Sequence, residues 1–255
     1  DNFSYANEVY PGDPRFVGIT TTDRLGEDGY NSAADDSDGD SLDDLDYTST
    51  FGGTSSAAPV VSGVVALMLE ANPNLTWRDV QHILVESAEM TDPSHIDWTN
   101  NAAGYDVNHY YGFGAVDAGA AVALAESWET VLPEVALSSE TVNVFQTIPD
   151  NSQTGVTSTV TLPVGISSLE WVEVTLDADH TSVGDLEVVL ISPAGIESEL
   201  ATVHFDPGIN GYANWVFTSA RNWGESAAGT WTLEVRDLGS DDVGTFNSWQ
   251  INTYG

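Results

Sequence analysis

Gly52-Gly53-Thr54-Ser55-Ser56-Ala57-Ala58-Pro59 stands at the head of a long apolar segment, Val60 to Leu69. The segment reads as a helix buried on every side, which suits the central spine of a domain. A glycine pair followed by small residues would bring Ser55 to the N-terminus of that helix. There, backbone N–H groups have no intrahelical acceptor and the positive end of the dipole faces outward. Such a place can stabilise a developing oxyanion. Pro59 has no N–H to return to the carbonyl four residues earlier, so the first turn is set apart from the rest. A helix cap alone would also account for Ser55, since serine is a favoured N-cap residue.

The composition is extreme: 40 acidic residues against 5 basic ones, for a net charge of −35 over 255 residues. Nucleic acid and anionic membrane surfaces would repel such a chain. Disorder is the usual outcome of such charge, but 41% hydrophobic content and eight tryptophans are too much apolar material for a solvated tail. A folded, acid-coated protein suits high salt, where self-repulsion is screened, and a halophilic source is expected. With no cysteine there are no disulfides or thiolate metal sites, and the redox compartment stays open. No segment reaches the length of a membrane span, and no basic region followed by an apolar stretch opens the chain.

Upstream of the serine, Arg15–Thr20 suits a buried parallel strand. The acidic stretch from Asp35 to Asp46 follows. Its Asp36, Asp38, Asp40 and Asp44 resemble a calcium loop of hard oxygen ligands, although Gly39 is displaced and Tyr47 stands where a bidentate glutamate belongs. A solvated acidic loop is the competing reading. Downstream, Thr76 caps a second helix with Asp79 three residues on, and Val80, Ile83, Leu84 and Ser87 form its buried face. An alanine-rich helix ends near Trp128, its small residues suited to tight packing.

A Pro- and Ser-containing connector covers 129–140, and beyond it the period becomes two. Val172, Val174 and Leu176 alternate with polar residues, as do Leu186, Val188 and Leu190, then Trp231, Leu233 and Val235, then Trp249 and Ile251. Short alternating strands between turn signals predict a β-sandwich or barrel.

Gly53-Thr54-Ser55-Ser56-Ala57-Ala58-Pro59, Leu69 to His82, and Tyr111-Gly112-Phe113-Gly114 with Val116-Asp117-Ala118 resemble the C-terminal third of a subtilase catalytic domain, in its kexin/furin branch. Gly184-Asp185-Leu186, Ser192 to Gly195, Trp223-Gly224-Glu225 and Gly229 to Leu233 resemble the P domain that accompanies those proteases. The resemblance implies an α/β subtilisin-like part with a parallel sheet over 1–128, and an all-β, jelly-roll-like P domain over 141–255. It implies a secreted, calcium-dependent serine endopeptidase acting on peptide or protein substrates, with cleavage after basic residues expected of that branch. Ser55 would be the nucleophile and supply one oxyanion donor from its own N–H, with Thr54 beside it in substrate binding. The family's aspartate, histidine and oxyanion asparagine lie N-terminal to the matched stretch, so a further N-terminal part of the catalytic domain is an expected partner. None of the five histidines stands in a His-Gly-Thr setting. A catalytically inactive β-sandwich module with a residual protease segment is the alternative.

Overall fold

The computed structural model describes residues 18–32, 40, 42–206 and 211–255. These residues fall into two compact units. The first comprises residues up to Ser87 together with Val116–Thr130; the second comprises Ala88–Ala115 and Val131–Gly255. The connector near 129–140 marks chain order, whereas the compact units divide the chain differently, because 88–115 packs with the β-rich part.

In the first unit, β1 (Ile19–Thr22) pairs antiparallel with β2 (Tyr47–Phe51). The sequence predicts a parallel strand over Arg15–Thr20; its last two residues form part of an antiparallel ladder instead, and 15–17 lie outside the described residues. The reason is local: the chain returns through Asp46, whose carbonyl accepts the Asp23 N–H at 2.8 Å, and so lays β2 beside β1 in the opposite direction.

Among the described residues this unit also has three α-helices: α1 (Thr54–Ala71), α2 (Trp77–Glu86) and α3 (Ala118–Glu126). The capping box forms as the sequence predicts: Thr76 Oγ1 accepts the Asp79 N–H at 3.2 Å, and Asp79 Oδ2 accepts the Thr76 N–H at 2.7 Å. The other Asp79 oxygen, Oδ1, takes the Trp128 indole N–H at 3.0 Å, which ties α2 to the end of α3. Ala121 and Ala125 are wholly enclosed with Val64, Met68 and Ile83, so the small residues of α3 do provide close packing.

The all-round burial expected of α1 is not found. Only Ser56, Val64 and Met68 are buried, while Val60 is 59% and Leu67 51% exposed. A helix apolar on all faces needs neighbours on all faces, and α2 and α3 cover one side. By length and composition α1 is also apolar enough to cross a bilayer, contrary to the expectation that no segment reaches that length.

The second unit opens with a short hairpin, β3 (Thr99–Asn100) and β4 (Asp106–Val107). Nine strands then follow: β5 (Ala136–Ser138), β6 (Val142–Ile148), β7 (Val156–Leu162), β8 (Trp171–His180), β9 (Leu186–Ile191), β10 (Glu197–Ala201), β11 (Tyr212–Ser219), β12 (Gly229–Asp237) and β13 (Gly244–Tyr254). One sheet runs β10-β9-β12-β7; the other runs β11-β8-β13-β5, with β6 also on β13. Every pairing is antiparallel.

Period-two alternation places Val172, Val174, Leu176, Phe246, Trp249 and Ile251 against Leu186, Val188, Leu190, Trp231, Leu233 and Val235 in one core. Each such side chain contributes about 1.5–3 kcal/mol on burial. The two central indoles are satisfied inside it, Trp231 by the Ala227 carbonyl and Trp249 by Ser158 Oγ, both at 2.9 Å.

Candidate active site

β2 runs through Gly52-Gly53 directly into α1. Gly53 is the N-cap, at φ 73° and ψ −164°, a conformation essentially confined to glycine. Ser55 is therefore the second residue inside the helix and not its cap. Ser56 Oγ donates to the Gly53 carbonyl at 2.8 Å, and that carbonyl also accepts the N–H groups of Ser56 and Ala57.

Thr54 and Ser55 are both exposed. Among the described residues, nothing accepts their N–H groups, and the Ser55 hydroxyl has no hydrogen-bond partner. Pro59 sits one turn on inside the helix and provides no N–H for the Ser55 carbonyl. A cavity of about 280 Å³ adjoins the serine, lined by Tyr30, Thr48, Thr50, Phe51 and Gly52. The arrangement offers an unengaged hydroxyl, a free N–H donor and a concave surface in one place.

No histidine bonds Ser55 among the described residues. In the same unit, His82 stacks obliquely on Trp128, with ring centroids 6.2 Å apart. The other four histidines belong to the second unit. There, His109 Nδ1 lies 3.0 Å from Asp97 Oδ1, a pairing the sequence does not reveal. Its Nε2 accepts the Glu199 N–H at 3.1 Å, so the ring is held between a carboxylate and a strand edge. Burial pushes the Asp97 carboxyl up, but hydrogen bonds from the His109 side chain and backbone outweigh it and hold the group below its ordinary value.

The segment 88–115 is fastened to the sandwich by further polar contacts. Asn101 Nδ2 donates to the carbonyls of Arg221 and Trp223, at 3.1 and 2.9 Å, and the Ala102 N–H donates to Glu225 Oε1 at 2.9 Å. Gly224, at φ 77°, lets Ala103 and Tyr105 approach: a Cβ there would lie 2.9 Å from each side chain. Trp223-Gly224-Glu225 is legible in the sequence as a motif, but what it receives is not.

Of the four acidic residues predicted to hold a metal, Asp36 and Asp38 lie outside the described residues. Asp40 accepts the Ser49 N–H and hydroxyl, at 2.8 and 2.7 Å, and Asp44 Oδ1 accepts the Asp46 N–H at 3.1 Å. Burial raises the Asp40 carboxyl, but hydrogen bonds from Thr48, Ser49 and Leu42 together hold it low. Calcium takes six to eight oxygens. Among the described residues, no group of three or more acidic or histidine side chains comes together. Asp40 and Asp44 alone do not make a calcium site.

A glycine turn thus presents an exposed serine at the start of an apolar helix, and an antiparallel sandwich follows it in the chain. Residues 19–114 match the model of the subtilase family, and 169–253 that of the proprotein convertase P-domain. The chain belongs to the kexin/furin-like subtilases. It is 40% identical over 221 residues to Protease KEX1 of Kluyveromyces lactis, a match covering 83% of this chain and 29% of that protein. Against human furin it is 36% identical over 212 residues, 82% of this chain and 27% of furin. The chain thus spans less than a third of the length of these relatives. The crystal structure of the serine protease of Aeromonas sobria with its chaperone aligns with a TM-score of 0.82 at 27% identity, covering 94% of this chain and 51% of that one.

Proposed function

We propose that Ser55 is the nucleophile of a secreted, kexin-like serine endopeptidase, and that this chain carries the nucleophile-bearing end of the catalytic domain and its P domain. One observation carries the reading: an exposed serine whose hydroxyl and N–H are both unengaged, held on the first turn of α1 beside a cavity. In the reaction, Ser55 Oγ attacks the scissile carbonyl while its own N–H donates to the developing oxyanion. Thr54, next to it, contacts the substrate. A serine hydroxyl needs a histidine base held by an aspartate. These come from the N-terminal part of the catalytic domain, for which the uncovered face of α1, including Val60 and Leu67, is the natural seat. Substrates are peptides or proteins cleaved after basic residues. The acidic loop of Asp36, Asp38, Asp40 and Asp44 holds calcium, a reading supported by its ligand chemistry alone.

The test is labelling by a fluorophosphonate probe. The chain alone should stay unlabelled, the chain co-expressed with the upstream catalytic segment should be labelled, and Ser55→Ala should abolish the signal. No labelling in either form would instead favour the inactive sandwich module.

A further inference from the structure

We propose that the outer edge of β11 is a docking strand for an extended, cationic peptide segment, which adds to the sheet and places one side chain in the cavity beside it. The proposal does not depend on the chemistry of Ser55.

Among the described residues, β11 ends its sheet and pairs with β8 alone. Among the described residues, no main-chain N–H or C=O of 212–219 bonds anything but β8. The edge that faces it across the seam, β10, is treated differently. Its Glu199 N–H is taken by His109 Nε2 at 3.1 Å, and its Glu197 carbonyl by Arg221 Nε at 2.9 Å. Natural sheets cover, charge or kink their edges to prevent unwanted pairing. Here one edge of the seam is capped by side chains, while the other is bare and carries Trp215 at 56% and Val216 at 51% exposure.

The bare edge adjoins a cavity of about 360 Å³, lined in part by Leu200, His204, Asp206, Tyr212, Trp215 and Phe217. A bulge between Tyr212 and Trp215 shifts the register, so that Tyr212, Trp215 and Phe217 all stand opposite core-facing residues of β8. Their rings form a continuous aromatic wall, with centroids 5.1 to 6.4 Å apart.

An added strand gains affinity from main-chain hydrogen bonds and specificity from pockets that take alternate side chains. The cavity suits an alkyl or guanidinium group, with the Asp206 carboxylate and the Trp215 indole both in its lining. Charge selects the partner's sign: 40 acidic residues against 5 basic ones favour a cationic segment and repel an acidic one.

The probe is an acetylated octapeptide alternating valine and arginine, titrated into the whole chain. Two isomers of equal charge are compared with it, one N-methylated on every valine and one on every arginine. A strand bonds its neighbour through alternate residues, so one isomer should bind at least about tenfold more weakly while the other is little changed. Trp215→Ala and Asp206→Asn should each weaken binding severalfold. If Trp215→Ala fails to fold, Asp206→Asn and the isomer pair still decide. Equal binding of both isomers would mean simple charge attraction and overturn the proposal. Absence of binding at millimolar peptide would also overturn it. So would Trp215-dependent binding of a neutral oligosaccharide in place of the peptide.

Discussion

His180 and Asp237 meet inside the sandwich, Nε2 to Oδ2 at 3.2 Å, with both side chains wholly enclosed. His180 Nδ1 lies 2.6 Å from the Ser182 carbonyl, and Asp237 Oδ1 accepts the Gly239 N–H at 3.0 Å. The pair fastens the end of β8 to the end of β12, across the two sheets. Removing one buried partner strands the other, so Asp237→Ala should cost about 3 kcal/mol in denaturant unfolding of the β-rich unit. A loss under about 1 kcal/mol would show that the contact is dispensable.

Acid stability should follow Asp97 and Asp40, whose folded carboxyls titrate below the ordinary value of 3.8. For a depressed carboxylate, the stabilisation is fully present above the unfolded value and is lost as pH falls through the folded one. The self-repulsion of a −35 chain acts oppositely and is relieved as the bulk carboxylates protonate. Comparison with Asp97→Asn separates the two effects. The variant should be less stable than the parent at pH 6, and the gap should close below pH 3.8. A gap independent of pH would rule out this assignment.

Gly53→Ala tests the turn that presents Ser55. A Cβ there would meet nothing within 4 Å, so any cost comes from backbone conformation alone. The expected destabilisation is about 1–3 kcal/mol, with reduced probe labelling of Ser55 in the complemented enzyme. Unchanged stability and labelling would show that the turn tolerates a side chain.

Salt should stabilise the fold. Screening a −35 charge predicts a melting temperature that rises steadily from 0.1 to 2 M sodium chloride, and equally with potassium chloride. A flat or falling curve would remove the halophilic reading.

Chelation tests calcium separately. A ligand bound only by the folded state raises its stability, so EDTA at fixed ionic strength should lower the melting temperature. Asp36→Asn with Asp38→Asn should abolish that response. An unchanged melting temperature would leave the acidic stretch a solvated loop.

The sandwich was legible where strands are central. β8 and β12 bury one face each, so Val172-to-Leu176 and Trp231-to-Val235 alternate cleanly. β11 was not, because its bulge breaks the period and an edge strand exposes residues of both rows. α1 misled in the other direction: apolarity on all faces records what a helix can bury, not what covers it. The Ser55 turn was legible because glycine, serine and proline act locally. Asp97–His109 and the bonds of Asn101 were not, since Asn101 meets Arg221 and Trp223 across more than a hundred residues of polar chain that carries no periodicity.

Because 88–115 packs with one unit while its chain neighbours on both sides pack with the other, the polypeptide passes between units at 87/88, 115/116 and 130/131. Neither unit is one unbroken stretch of chain. A protein cut at residue 130 would leave the sandwich without Asn101 and His109, so that the Glu199 N–H loses its acceptor and Glu225 loses the Ala102 N–H while keeping Asn222.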